Sequence, residues 1–106
     1  MSDLHALRQG LVVTAFWEAR PAEADEVARI LRQFLPQAQQ EPGVEAFRIH
    51  QSLSEPHKFF FYEVFKDEAA FAEHGQSAHF KTFILEQAVP RLARRVRTQH
   101  KFVLNA

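Results

Sequence analysis

Residues 10–19, GLVVTAFWEA, set apolar side chains at every second position: Leu11, Val13, Ala15 and Trp17 alternate with the mixed set Val12, Thr14, Phe16 and Glu18. Period two with β-branched and aromatic residues predicts a strand. The following PAEADEVARILRQFLPQAQQ changes period. Ala24, Val27, Ala28, Leu31, Phe34 and Leu35 recur at three-four spacing and predict one buried helix face. Pro21 suits a first helical position, and Pro36 is expected to kink or end the helix because its ring clashes one turn back. EPGVEAFRIHQSL predicts a turn and a second strand, EPHK a hairpin connection, and FFFYEVF a third strand. DEAAFAEH predicts a short helix capped by Asp67, and SAHFKTFILEQAV a further helix with Ser77 as cap, interrupted by Pro90. VRTQHKFVL closes as a fourth strand.

The order β-α-β-β-α-β predicts an α+β, ferredoxin-like fold, an antiparallel sheet with helices on one face. A sheet covered on one side should alternate apolar and polar, and the third strand does not. Phe59, Phe61 and Phe65 point one way, Phe60, Tyr62 and Val64 the other. Helices cover one face only, so the other is expected to meet a second copy of the chain.

The 106 residues suffice for one domain, expected over 1–106 with a core at about 10–104. Formal net charge is zero, from 13 basic and 13 acidic residues, which argues against a nucleic-acid partner. The one basic cluster, RLARRVR from Arg91 to Arg97, is read as a solvated helix end. MSDLHALRQG carries no apolar core of the signal-peptide kind and no apolar run is long enough to span a bilayer, so a cytoplasmic protein without membrane association is expected. There is no cysteine, and only Gly10, Gly43 and Gly75 are glycines, so thiolate zinc sites, cysteine nucleophiles, dinucleotide fingerprints and P-loops are excluded.

Two kinds of residue remain for chemistry. His74 lies three residues after Phe71 and four after Ala70, on the apolar side of its helix. It is either a packed core histidine or a base. His79 follows five residues later, which on a continuous helix turns it roughly 140° away, while Gly75 between them favours a break that leaves their relative orientation open. His5, His50, His57 and His100 show no ligand spacing, so no metal is expected. Glu63 shares a face with Phe59, Phe61 and Phe65 and must be paired, hydrogen-bonded or protonated. It is either ion-paired, for instance to Arg48 of the neighbouring strand, or the group that orients a histidine.

EPG before the second strand, FFFYEVF-KDEAAFAEH and SAHF together resemble the antibiotic biosynthesis monooxygenase family, over roughly residues 10 to 95. The similarity is greatest to the small quinol monooxygenase-like and autoinducer-processing members. The resemblance implies a dimeric ferredoxin-like fold, an α/β-barrel of two sheets, with a pocket between each sheet and its helices. It implies oxidation of a small phenol or quinol by molecular oxygen without metal, flavin or other cofactor. By position, Glu63 matches the family's strand-three glutamate, His74 its helix histidine, and His79 with Phe80 the HF that follows. His74 is then expected as base, Glu63 as its orienter, Phe61, Phe65 and Phe80 as substrate-contacting walls, and His79 at the rim. A small-metabolite isomerase and a non-catalytic small-molecule-binding dimer are the alternatives on this fold. Phe65 departs from the Trp or Tyr of many relatives. Haem-degrading relatives use an Asn in the first strand, where Thr14 and its neighbours stand here, so haem cleavage is disfavoured.

Overall fold

A computed structural model describes residues 10–103. The readings of the N-terminal MSDLHALRQ and of Leu104 lie outside the described residues. Strands β1 (Leu11–Ala19), β2 (Val44–Gln51), β3 (Lys58–Phe65) and β4 (Leu92–Lys101) form one sheet in the order β2-β3-β1-β4. All its pairings are antiparallel. Helix α1 (Ala24–Gln39) follows a 3₁₀ turn at Pro21–Glu23, and α2 (Glu68–Gln76) follows β3. This is the ferredoxin-like arrangement that the order of elements predicts.

The core lies between the helices and one sheet face. Val13, Phe65, Ile30 and Phe34 are completely or almost completely enclosed there. The buried stripe of α1 is Ala24, Val27, Ile30, Leu31, Phe34 and Ala38; Ala28 and Leu35 only flank it. The sequence pattern therefore set the stripe slightly off centre and left out Ile30 and Ala38. Nor does Pro36 end the helix, which runs through it to Gln39. The proline removes a single N–H···O bond, the one to the Arg32 carbonyl, and only three helical residues follow it.

Two further expectations need correction. The segment after α2 is helical, but Phe80–Ala88 winds as a π-helix, whose ladder ends with the Val89 N–H on the Ile84 carbonyl. A 3₁₀ turn at Val89–Arg91 carries Pro90. Most of RLARRVR then belongs to β4, which begins at Leu92 and not at Val96. These arginines therefore alternate across a sheet. Arg95 sits opposite Trp17 and Arg97 opposite Ala15, on the helix side, whereas Val96 sits opposite Phe16 on the other face.

That other face is open. Phe16 is 60% exposed, Val96 44% and Tyr62 36%. No helix of the described residues is long and apolar enough to cross a membrane.

Candidate active site

The site begins with the turn after α1. Glu41 donates its N–H to the Ala38 carbonyl, and Val44 donates to the Glu41 carbonyl. Gly43 then accepts from the Lys66 N–H at 2.8 Å, tying the turn to the end of β3. Helix α2 starts beside it, with the Asp67 carboxylate accepting the Ala70 N–H at 2.8 Å. Ala70 and His74 are one turn apart on this helix, so they share a face. Ala70 abuts Gly43, and His74 reaches Glu41.

The contacts are close. His74 Nδ1 is 2.8 Å from Glu41 Oε2, and His79 Nε2 is 2.6 Å from the same oxygen. A carboxylate only accepts, so each imidazole donates an N–H to it. His74 is thereby held as the tautomer protonated at Nδ1, with the Nε2 lone pair left as its basic site. Among the described residues Nε2 has no hydrogen-bond partner. The ring is 3% exposed and boxed by Phe65, Phe80, Phe47 and Phe34, with centroids at 5.2, 5.2, 5.3 and 5.9 Å. Burial lowers its pKa from the usual imidazole value; the Glu41 bond and charge oppose this in part, while His79 and Arg97 add to the lowering.

Ser77 makes the break that brings His79 round. Its hydroxyl donates to the His74 carbonyl at 2.8 Å and accepts the Phe80 N–H at 3.2 Å. The angular separation expected of His74 and His79 holds only for an uninterrupted helix. Here both imidazoles meet at one carboxylate. Their three donor atoms lie within 4.8 Å, and two imidazoles with a carboxylate are a donor set that zinc accepts. In the present geometry both nitrogens spend their protons on Glu41, so a cation would have to displace two N–H···O bonds.

His74 and Glu63 line one cavity of about 530 Å³ between the sheet and the helices, together with Phe61, Phe80, Arg95 and Arg97. Trp17, the chain's one tryptophan, lines it too. Phe65 does not: it lies beneath His74, completely buried, stacked edge-on against Phe71. His79 is likewise absent from the lining and sits behind His74, on Glu41. Thr14 faces the open side of the sheet, where its hydroxyl is 2.8 Å from His100 Nε2.

Glu63 is 6% exposed. Arg48 is not its partner, since Phe47 stands opposite Glu63 and Arg48 stands opposite Tyr62 on the other face. Nor does Glu63 orient His74; that carboxylate is Glu41. Among the described residues Glu63 makes no hydrogen bond. Burial pushes its pKa up to about 8, against the pull of Arg97 and with the added repulsion of Glu41. Burial thus favours the uncharged form of both the imidazole and the carboxyl that face the cavity.

Glu41 was within the EPG motif but carried no signal of its own role. It lies 33 residues from His74, in a turn, where no helical or strand spacing connects them.

The family profile described as antibiotic biosynthesis monooxygenase matches residues 10–86. The chain belongs to that family. Two relatives in sequence are the Bacillus subtilis protein named "Putative monooxygenase YcnE", 26% identical over 74 residues, and the uncharacterized protein sll1783 of Synechocystis, 24% identical over 82 residues. These matches span 70% and 77% of this chain, but 78% of the former and only 56% of the latter. The crystal structure of PA3566 from Pseudomonas aeruginosa has a TM-score of 0.84 at 25% identity, covering 92% of this chain and 97% of that one. The antibiotic biosynthesis monooxygenase fold thus accounts for nearly all of the described chain.

Proposed function

We propose that the chain is a cofactor-independent monooxygenase that oxidises a small phenol- or quinol-type aromatic compound. The observation that carries this reading is His74: a neutral imidazole, fixed by Glu41 with its basic nitrogen free, on an aromatic-walled cavity. Nε2 takes the phenolic proton, and Glu41 stabilises the imidazolium that forms. The phenolate is electron-rich enough to react with molecular oxygen directly. Conversion of a phenol to a quinone then balances with one O₂. One oxygen atom becomes the new carbonyl, and the other leaves as water with the phenolic hydrogen and the displaced ring hydrogen. The substrate supplies every electron, so no reductant is needed. Glu63, protonated, donates to the oxygen that accumulates charge, and Phe61 and Phe80 hold the ring.

A second reading, an isomerase moving a proton between two carbons, draws on the same pairing of a neutral base and a neutral acid across one cavity. Oxygen uptake with a panel of phenols and quinols separates the two. Stoichiometric consumption of O₂ that disappears in His74→Ala supports the oxygenase. Substrate turnover without O₂ consumption supports the isomerase.

A second copy of the chain on the open sheet face completes the reading. Phe16, Phe60 and Tyr62 present a contiguous apolar surface there, on the side away from the cavity, with Val96 paired to Phe16 at its edge.

A further inference from the structure

Building on the proposed reading of the cavity as an aromatic-substrate site, we infer that its substrate is a hydroxylated aromatic acid, whose anionic group is held by Arg95 and Arg97. Both side chains line the cavity from β4, on the same sheet face as Ala15 and Trp17, which also line it. Neither is in an ion pair among the described residues, whereas Arg91 is engaged by Glu23 and Glu26. The Arg97 guanidinium lies 5.1 Å from the centroid of Phe71, a cation–π contact, and both arginines are solvent-exposed on this edge strand at the cavity's open side.

The charges in the cavity do not cancel. Glu63 is the one carboxyl in the lining, and its burial keeps it protonated in spite of Arg97. His74 is neutral there. Two guanidiniums therefore face a partly apolar cavity without a protein anion to meet them, and planar guanidinium pairs favour carboxylate-type groups. Position adds a second constraint. In the order β2-β3-β1-β4, β4 lies two strand spacings from β3, roughly 10 Å. Arg97 nevertheless reaches back to Phe71, and its charge acts on both His74 and Glu63, so the acid group sits on a short side chain of the reacting ring.

Trp17 supplies the test, because its emission reports occupancy without turnover. Titration compares para-hydroxyphenylacetate with para-ethylphenol, which share a ring and a chain length and differ in the acid. The acid is expected to bind roughly tenfold or more tightly, the scale of a charge-assisted bond. That preference should vanish in the Arg95→Gln/Arg97→Gln double variant, with para-ethylphenol affinity unchanged and a wild-type melting temperature. Equal affinities in the native protein, or a preference that survives the double variant, overturn the inference and leave the aromatic-site reading standing. If neither compound perturbs Trp17 emission, both are overturned.

Discussion

Gly43 and Ala70 are packed so closely that a Cβ on Gly43 would lie 2.3 Å from the Cβ of Ala70. The contact fixes the distance between the Glu41 turn and α2. One helical turn further on, that same distance lets His74 meet Glu41 at 2.8 Å. Gly43→Ala should therefore push α2 away from the turn. Overpacking of this kind costs about 1–3 kcal/mol, to be read from the denaturant midpoint. The Gly43→Ala/Ala70→Gly double variant should regain part of that loss, less the roughly 1 kcal/mol that glycine costs inside a helix. Failure of the second change to restore any stability would show that the crowding is elsewhere.

His74 is both packed and chemical, so its removal should act twice. Truncation empties a box of four phenylalanine rings and strips Glu41 of one donor. The expected loss for His74→Ala is about 1–3 kcal/mol of stability. In the fraction that remains folded, turnover should fall by about 10²–10⁴, the usual contribution of a positioned base. Glu41→Gln keeps the shape but removes the charge that steadies the imidazolium. It should lower turnover while shifting the acid limb of the pH profile downward, because the opposing lift on the His74 pKa is gone. An unchanged profile in Glu41→Gln would remove Glu41 from the mechanism. In the native protein that limb should already lie below the ordinary imidazole value of roughly 6.5.

How far the site can be read in the sequence depends on which contacts are local. The alternation in β1 and the spacing in α1 are short-range patterns, and they give the fold. His74 and Glu63 are also locally marked, as polar residues on apolar faces. Glu41 is not, because its partner lies across a turn and a β-hairpin. The identity of the orienting carboxylate was thus the part that only tertiary structure could assign. Arg95 and Arg97 were hidden for a different reason. A run dense in arginine has the composition of a helix end, and its strand period becomes visible only when it pairs with β1.

The open sheet face predicts self-association. With Phe16 60% exposed beside Phe60 at a centroid distance of 5.0 Å, the surface is apolar where a solvated sheet would be polar. Light scattering at micromolar concentration should give twice the 12.3 kDa chain mass. Phe16→Glu should yield the single-chain mass with the cavity intact, since Phe16 points away from it. A native protein that stays at the single-chain mass across concentrations would refute the second copy.

Glu63 gives the chain a pH dependence opposite in sign to that of an ion-paired carboxylate. Burial pushes its folded pKa up to about 8, above the usual glutamate value of 4.5. Between those values the folded state holds a proton that the unfolded state has released. Stability then declines as pH rises, because its slope follows the protons bound by the unfolded state minus those bound by the folded one. Above about 8 both states are ionised and the slope vanishes. The full span corresponds to a few kcal/mol, on the order of 1.4 kcal/mol per pKa unit. Glu63→Gln keeps the size and the hydrogen-bonding end of the protonated acid but cannot ionise. It should be more stable than the native protein at pH 8 and similar at pH 5, as measured by denaturant unfolding at each pH. His74 contributes with the other sign, since a lowered imidazole pKa makes stability fall as pH drops through roughly 6.5. Subtracting the Glu63→Gln curve from the native one removes that shared contribution and isolates the carboxyl. A difference that does not grow from pH 5 to pH 8 would mean that Glu63 is ionised in the folded protein, and its role as proton donor in the cavity would fall with it.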